Sequence, residues 1–114
     1  MVPGIAGSND RGRESGLTMK LVLSFQGVQI KEYTLERAAL SIGRHEDNDI
    51  VIDHMGVSGK HARLTVEGQT VTLTDLQSRN GTYVNGHRVT EVQLRPNDWI
   101  TIGKHILTFK AGPR

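Results

Sequence analysis

Residues 62–76, ARLTVEGQTVTLTDL, decide the fold class. Ala62, Leu64 and Val66 recur at every second position, and so do Val71 and Leu73 after the break at Gly68-Gln69. Period two is the spacing of a strand that turns one face to a core and the other to water. A two-residue break containing glycine between two such runs reads as a hairpin. No stretch sustains helical spacing over three turns. LERAAL, residues 35–40, is too short and runs straight into LSIG, residues 40–43.

The same texture extends in both directions. MKLVLSF and VQIKEYTL flank a second hairpin signal at Gln26-Gly27, and IVI, TYV, VQL, WITI and ILTF follow, each bounded by Gly, Pro, Asn or Asp. Short strands recurring every 8 to 12 residues or so predict an all-β antiparallel sandwich, with the loops as the place to look for function. Trp99, alternating with Ile100 and Ile102, is expected to pack within its strand. Residues 1–18, rich in Gly, Ser, Asn and Arg, read as a disordered tail. The domain is expected over 19–110, with 111–114 as a short C-terminal tail.

A chain of 114 residues favours one domain with its own core. Cysteine is absent, which removes disulfides, thiolate metal sites and thiol nucleophiles. No apolar run approaches a membrane span, and MVPGIAGSNDRGRES lacks the apolar segment of a secretory signal, so the cytosol is the expected location. The net charge of +2 is spread along the chain and aromatic residues are only 4%, which argues against a nucleic-acid surface.

Several catalytic or metal-binding readings fail on spacing. GVSGKH, residues 56–61, is too short for a nucleotide phosphate loop and lacks the Ser or Thr after its lysine. HEDND, residues 45–49, lacks the glycine and terminal glutamate of an EF-hand and reads as a solvated, Asx-capped turn. The five histidines have no metal-ligand spacing, and no cofactor is expected. Ser58, His61 and Asp75 are the residue types of a hydrolytic triad, but Ser58 lacks a nucleophile elbow. An enzyme is not expected.

What remains is a set of loops with the residues needed to hold a phosphate: Gly43-Arg44, Val57-Ser58-Gly59-Lys60-His61 and Ser78-Arg79-Asn80-Gly81-Thr82. A phosphothreonine presents roughly 1.5 to 2 negative charges and three strong acceptor oxygens. Arginine meets these as a planar fork, serine as a compact hydroxyl donor, and loop N–H groups as an anion nest. Asparagine offers both a donor and an acceptor to an extended peptide backbone.

SIGRHEDNDIVID, VSGKHARL, LTDLQSRNGTYVNGHRV and LRPNDWITIGKHILTF together resemble the forkhead-associated (FHA) domain. The blocks G-R, S-x-x-H, N-G-T and N-G stand in that family's order and spacing from about Met19 to Lys110. The resemblance implies a sandwich of about eleven short strands whose loops at one end bind phosphothreonine peptides. It implies that Arg44 and Ser58 contact the phosphate and that Asn80 bonds the peptide main chain. Arg79 stands at a position that commonly touches phosphate or peptide. His61 is implied to buttress the loops from behind, while Gly43, Gly81, Thr82, Asn85 and Gly86 match structural positions.

The chain departs from the family pattern at Gly59, where many members carry Arg or Asn, and at Gly56, where some carry Arg. Gly59 still offers its N–H, and either Lys60 or Arg79 supplies the further charge. The expected partner is a phosphothreonine-containing protein or peptide, such as a Ser/Thr kinase or its substrate, bound by a monomer. The alternative reading is a phospho-independent interaction scaffold of the same fold. Thr18, the tail's only threonine, is a candidate whose phosphorylation would compete for the site of another copy.

Overall fold

The computed structural model describes residues 17–113. Eleven strands lie within them: β1 (Leu17–Phe25), β2 (Val28–Thr34), β3 (Ala39–Gly43), β4 (Ile50–Val51), β5 (Ala62–Glu67), β6 (Thr70–Asp75), β7 (Thr82–Val84), β8 (His87–Val89), β9 (Glu91–Gln93), β10 (Trp99–Ile102) and β11 (His105–Pro113). They form a five-stranded sheet, β9-β6-β5-β3-β4, and a six-stranded sheet, β2-β1-β11-β10-β7-β8. The two inner faces supply the core. Ile42, Leu64, Val71 and Leu73 come from one sheet, and Leu21, Ile100, Ile102 and Leu107 from the other, all fully buried.

The hairpins follow their turn chemistry. β5 and β6 pair up to Glu67↔Thr70 across Gly68-Gln69, with positive φ at Gly68. Gln26-Gly27 and Asn85-Gly86 both take positive φ at the two central positions, the type I′ pattern that matches strand twist.

Three expectations are corrected. First, β3 and β4 pair in parallel, Ile42↔Ile50 and Gly43↔Val51, although every other pair is antiparallel. A six-residue loop spans about 20 Å when extended, enough to return along a two-residue strand. Second, the ladder between β1 and β11 runs on to Thr18↔Gly112 and Leu17↔Pro113. Thr18 and residues 111–113, expected in tails, are therefore strand, and the remainder of the expected N-terminal tail lies outside the described residues. Third, Trp99 is in a strand but points outward and is 46% exposed, because parity gives the inner face to Ile100 and Ile102.

Among the described residues, no helix is long and apolar enough to cross a membrane.

Candidate functional site

Three connections gather at one end of the sandwich: residues 44–49 after β3, 52–61 before β5, and 76–81 before β7. Backbone bonds join the first two. The Arg44 N–H donates to the Ser58 carbonyl at 2.9 Å, and the His45 N–H to the Gly59 carbonyl at 3.3 Å. The approach is close enough that a Cβ on Gly43 would collide with the Gly59 carbonyl and stand 2.8 Å from the Asn48 amide. Gly43 is thus required for close backbone contact.

Asn48 completes this junction. Its side-chain amide donates to the His45 and Gly59 carbonyls, each at 2.8 Å, and the residue is only 6% exposed. Reading HEDND as a solvated turn missed this inward asparagine. Asp49 closes the loop by accepting from the Ser41 N–H and from Arg37, both of which lower its pKa.

His61 joins the second connection to the third. It is fully buried; its Nδ1 accepts from the Ser58 N–H at 3.1 Å, and its Nε2 lies 2.9 Å from the Gly81 carbonyl. That pairing fixes the neutral tautomer with hydrogen on Nε2. Two more links run over it: the Arg79 N–H donates to Ser58 Oγ at 2.9 Å, and the Asn80 amide donates to the Gly56 carbonyl at 3.0 Å. Gly56 is held in turn by His54, whose Nδ1 accepts its N–H. The His54 ring stands edge-on to His105, which stacks on Phe25.

The third loop is shaped by Asp75. Its carboxylate accepts from Ser78 Oγ and Thr82 Oγ1, both at 2.6 Å, and from the Ser78 N–H at 3.1 Å. Ser78 Oγ then accepts from the Gly81 N–H at 3.0 Å. Gly81 has φ 91°, a conformation that suits glycine. The Asp75-x-x-Ser78 spacing that permits these capping bonds stands in the sequence, where Asp75 otherwise reads only as a residue type of a triad.

Burial works to raise the Asp75 pKa, but the hydrogen bonds from Ser78 and Thr82 outweigh it, so the pKa lies below the ordinary value. A carboxyl depressed in the folded state stabilises above the unfolded value and loses that contribution as pH falls through its folded pKa. Asp49 has the same sign. The urea midpoint should therefore hold from pH 7 down to about pH 5 and fall below about pH 4. Asp75→Asn should lower the midpoint at pH 7 and flatten that acid limb.

The expected residues divide into groups. Arg44, Ser58, Gly59, Arg79 and Asn80 lie on the joined loops and reach the surface. Neither the Arg44 nor the Arg79 guanidinium has a carboxylate partner among the described residues, whereas Lys60 Nζ lies 3.3 Å from Asp47 Oδ1. Gly43, His61, Gly81 and Thr82 are buried behind them.

Asn85 and Gly86 are not brought to the site. They turn at the far end of β7, where Asn85 Oδ1 accepts from the Trp99 N–H at 3.0 Å and Asn85 Nδ2 donates to Asp98 at 2.9 Å. Asn85→Ala should lose both bonds and strain a residue at φ 51°. The expected cost is about 2 kcal/mol, or about 10 °C in Tm by thermal denaturation, with loop geometry unchanged.

Comparisons with known proteins point the same way. The sequence profile of the family described as the FHA domain matches residues 40–103. The glycogen accumulation regulator GarA of Mycobacterium tuberculosis is 40% identical over 82 residues, covering 72% of this chain and 51% of GarA. The chain thus spans about half the length of the curated relatives it matches. A structure from a study of phosphothreonine-dependent FHA domain interactions superposes with a TM-score of 0.78 at 32% identity, over 85% of this chain and 99% of that one. EmbR of Mycobacterium tuberculosis, solved with a low-affinity phosphopeptide, gives 0.74 at 37% identity, over 82% of this chain and 24% of EmbR.

Proposed function

The chain belongs to the FHA domain family, and from that premise we propose that it captures phosphothreonine-containing segments of partner proteins in Ser/Thr-kinase-dependent signalling. It acts as a binding module rather than an enzyme, and the cytosol is the compartment that suits such partners. One observation carries the reading: Ser58 accepts from the Arg44 N–H through its carbonyl and from the Arg79 N–H through its hydroxyl, so the joined loops carry two arginines next to it, neither paired to a carboxylate among the described residues. An unpaired guanidinium offers a ready fork to phosphate oxygens.

In this reading Arg44 takes the phosphate as a bidentate donor. Ser58 turns its O–H outward, since its oxygen already accepts from the Arg79 N–H. The Gly59 N–H adds a backbone donor. Arg79 supplies the further charge, because Lys60 is engaged with Asp47. Asn80 spends one amide hydrogen on Gly56 and keeps its carbonyl oxygen and second hydrogen for the peptide main chain. Asn80→Ala therefore costs binding where Asn85→Ala costs stability.

The test is a titration with degenerate peptide pools carrying phosphothreonine, phosphoserine or neither. Phosphothreonine should bind at least about fourfold tighter than phosphoserine if its methyl group alone is buried, since one methyl contributes about 0.8 kcal/mol. Unmodified peptide should not bind. Equal binding of all three pools would remove the reading.

A further inference from the structure

Gly59 stands between Ser58 and Lys60 and lacks a side chain of its own, yet the space beside it is filled. A Cβ built on Gly59 would meet the His45 ring, with Nε2 at 2.6 Å and Nδ1 at 2.8 Å. The imidazole of the residue after Arg44 therefore lies on the backbone of the residue after Ser58. Both nitrogens come within reach of the volume that a residue-59 side chain would occupy. His45 is exposed, and neither ring nitrogen has a hydrogen-bond partner among the described residues.

We propose that His45 is a further phosphate-binding residue of this site, its imidazolium supplying from the first loop the charge that glycine at position 59 lacks. The proposal rests on the phosphate-capture reading above. Imidazole gains a proton in the same pH range in which a phosphomonoester loses its second one, so the pair is most favourable where both are charged. The charged groups around His45 are few. Arg44, Glu46, Asp47 and Asp49 come from its own loop, with Asp47 facing Lys60 of the second loop at 3.3 Å and Asp49 paired with Arg37. Asn48, which holds the His45 carbonyl, is uncharged. Glu46 is the one acid of that loop without an ion-pair partner among the described residues.

Any residue larger than glycine at position 59 displaces the imidazole, so positions 45 and 59 are coupled.

The experiment measures affinity for a fluorescently labelled degenerate phosphothreonine peptide pool from pH 6.5 to 8.5, for the wild-type chain, His45→Gln, Gly59→Asn and the double variant. The wild-type advantage over His45→Gln should be about tenfold at pH 6.5 and shrink to about twofold at pH 8.5, as expected for a charge-assisted bond that loses its proton. Thermal denaturation checks that each variant is folded, and a merely structural role would give a ratio that does not follow pH. Gly59→Asn should weaken binding in the wild-type background and much less when His45 is already gone. A ratio that is flat with pH, or an equal Gly59→Asn effect in both backgrounds, overturns the proposal and leaves the phosphate reading intact. If the wild-type chain fails to bind the pool at all, the phosphate reading falls and this proposal with it.

Discussion

Arg44→Ala is expected to weaken phosphothreonine-peptide binding by at least a hundredfold while leaving thermal stability within a degree or two. A charge-assisted hydrogen bond contributes about 1.5 to 3 kcal/mol, and a guanidinium offers two to one phosphate. Losing both costs about 3 kcal/mol or more, which is a factor above a hundred in Kd. Stability should hardly change, because the Arg44 side chain is exposed and makes no ion pair among the described residues. The structural part of Arg44 is its N–H bond to the Ser58 carbonyl, and alanine keeps that bond. Arg44→Lys should recover only part of the affinity, since an ammonium carries the charge without the fork. Calorimetric titration together with a melting curve checks both halves. A small loss of affinity in a stable variant would place the phosphate elsewhere.

His61→Ala is expected to show the reverse pattern, with a loss of stability first and a loss of binding as its consequence. The ring is fully buried and its two nitrogens hold the Ser58 N–H and the Gly81 carbonyl. Alanine leaves a cavity and two backbone groups without partners. Truncating a buried ring costs about 3 to 5 kcal/mol, and each orphaned group adds about 1 to 3 where water cannot reach it. A fall in Tm of about 15 °C or more is the expected result for a domain of this size. His61→Gln, which keeps a donor and an acceptor, should recover part of it. The pairing of the two variants separates contact from support: Arg44 lies on the surface, and His61 is the pillar under it.

The strands and tight turns were legible because both depend on neighbours along the chain. Alternation in ARLTVE and TVTLTD gives the inner face residue by residue, and Asn85-Gly86 and Gln26-Gly27 announce their turns through positive φ. The loop residues expected at the surface reach it, because Arg44, Ser58 and Asn80 sit in short segments bracketed by strands. The joints between loops were not legible. Asn48 donates to a carbonyl 11 residues away, and Asn80 to one 24 residues away. No local spacing reveals such partners, so Asn48 looked like any polar turn residue. The seating of His45 on Gly59 is hidden for the same reason. The parallel pairing of β3 with β4 was missed because a two-residue strand has no period to read.

The two asparagine-glycine pairs in QSRNGTYVNG illustrate the difference. At Asn85-Gly86 both residues take positive φ and the asparagine side chain secures the turn to β10. At Asn80-Gly81 only the glycine does, and the asparagine reaches across to the neighbouring loop. Identical dipeptides thus have different parts, decided by what lies opposite them in space.

The central claim is that recognition depends on the phosphate. It is tested most directly by titrating the chain with one phosphothreonine peptide pool before and after complete phosphatase treatment. Saturable binding is expected to the untreated pool and none to the dephosphorylated peptides. Binding that survives dephosphorylation with the same affinity would contradict it and identify a phospho-independent interaction scaffold instead.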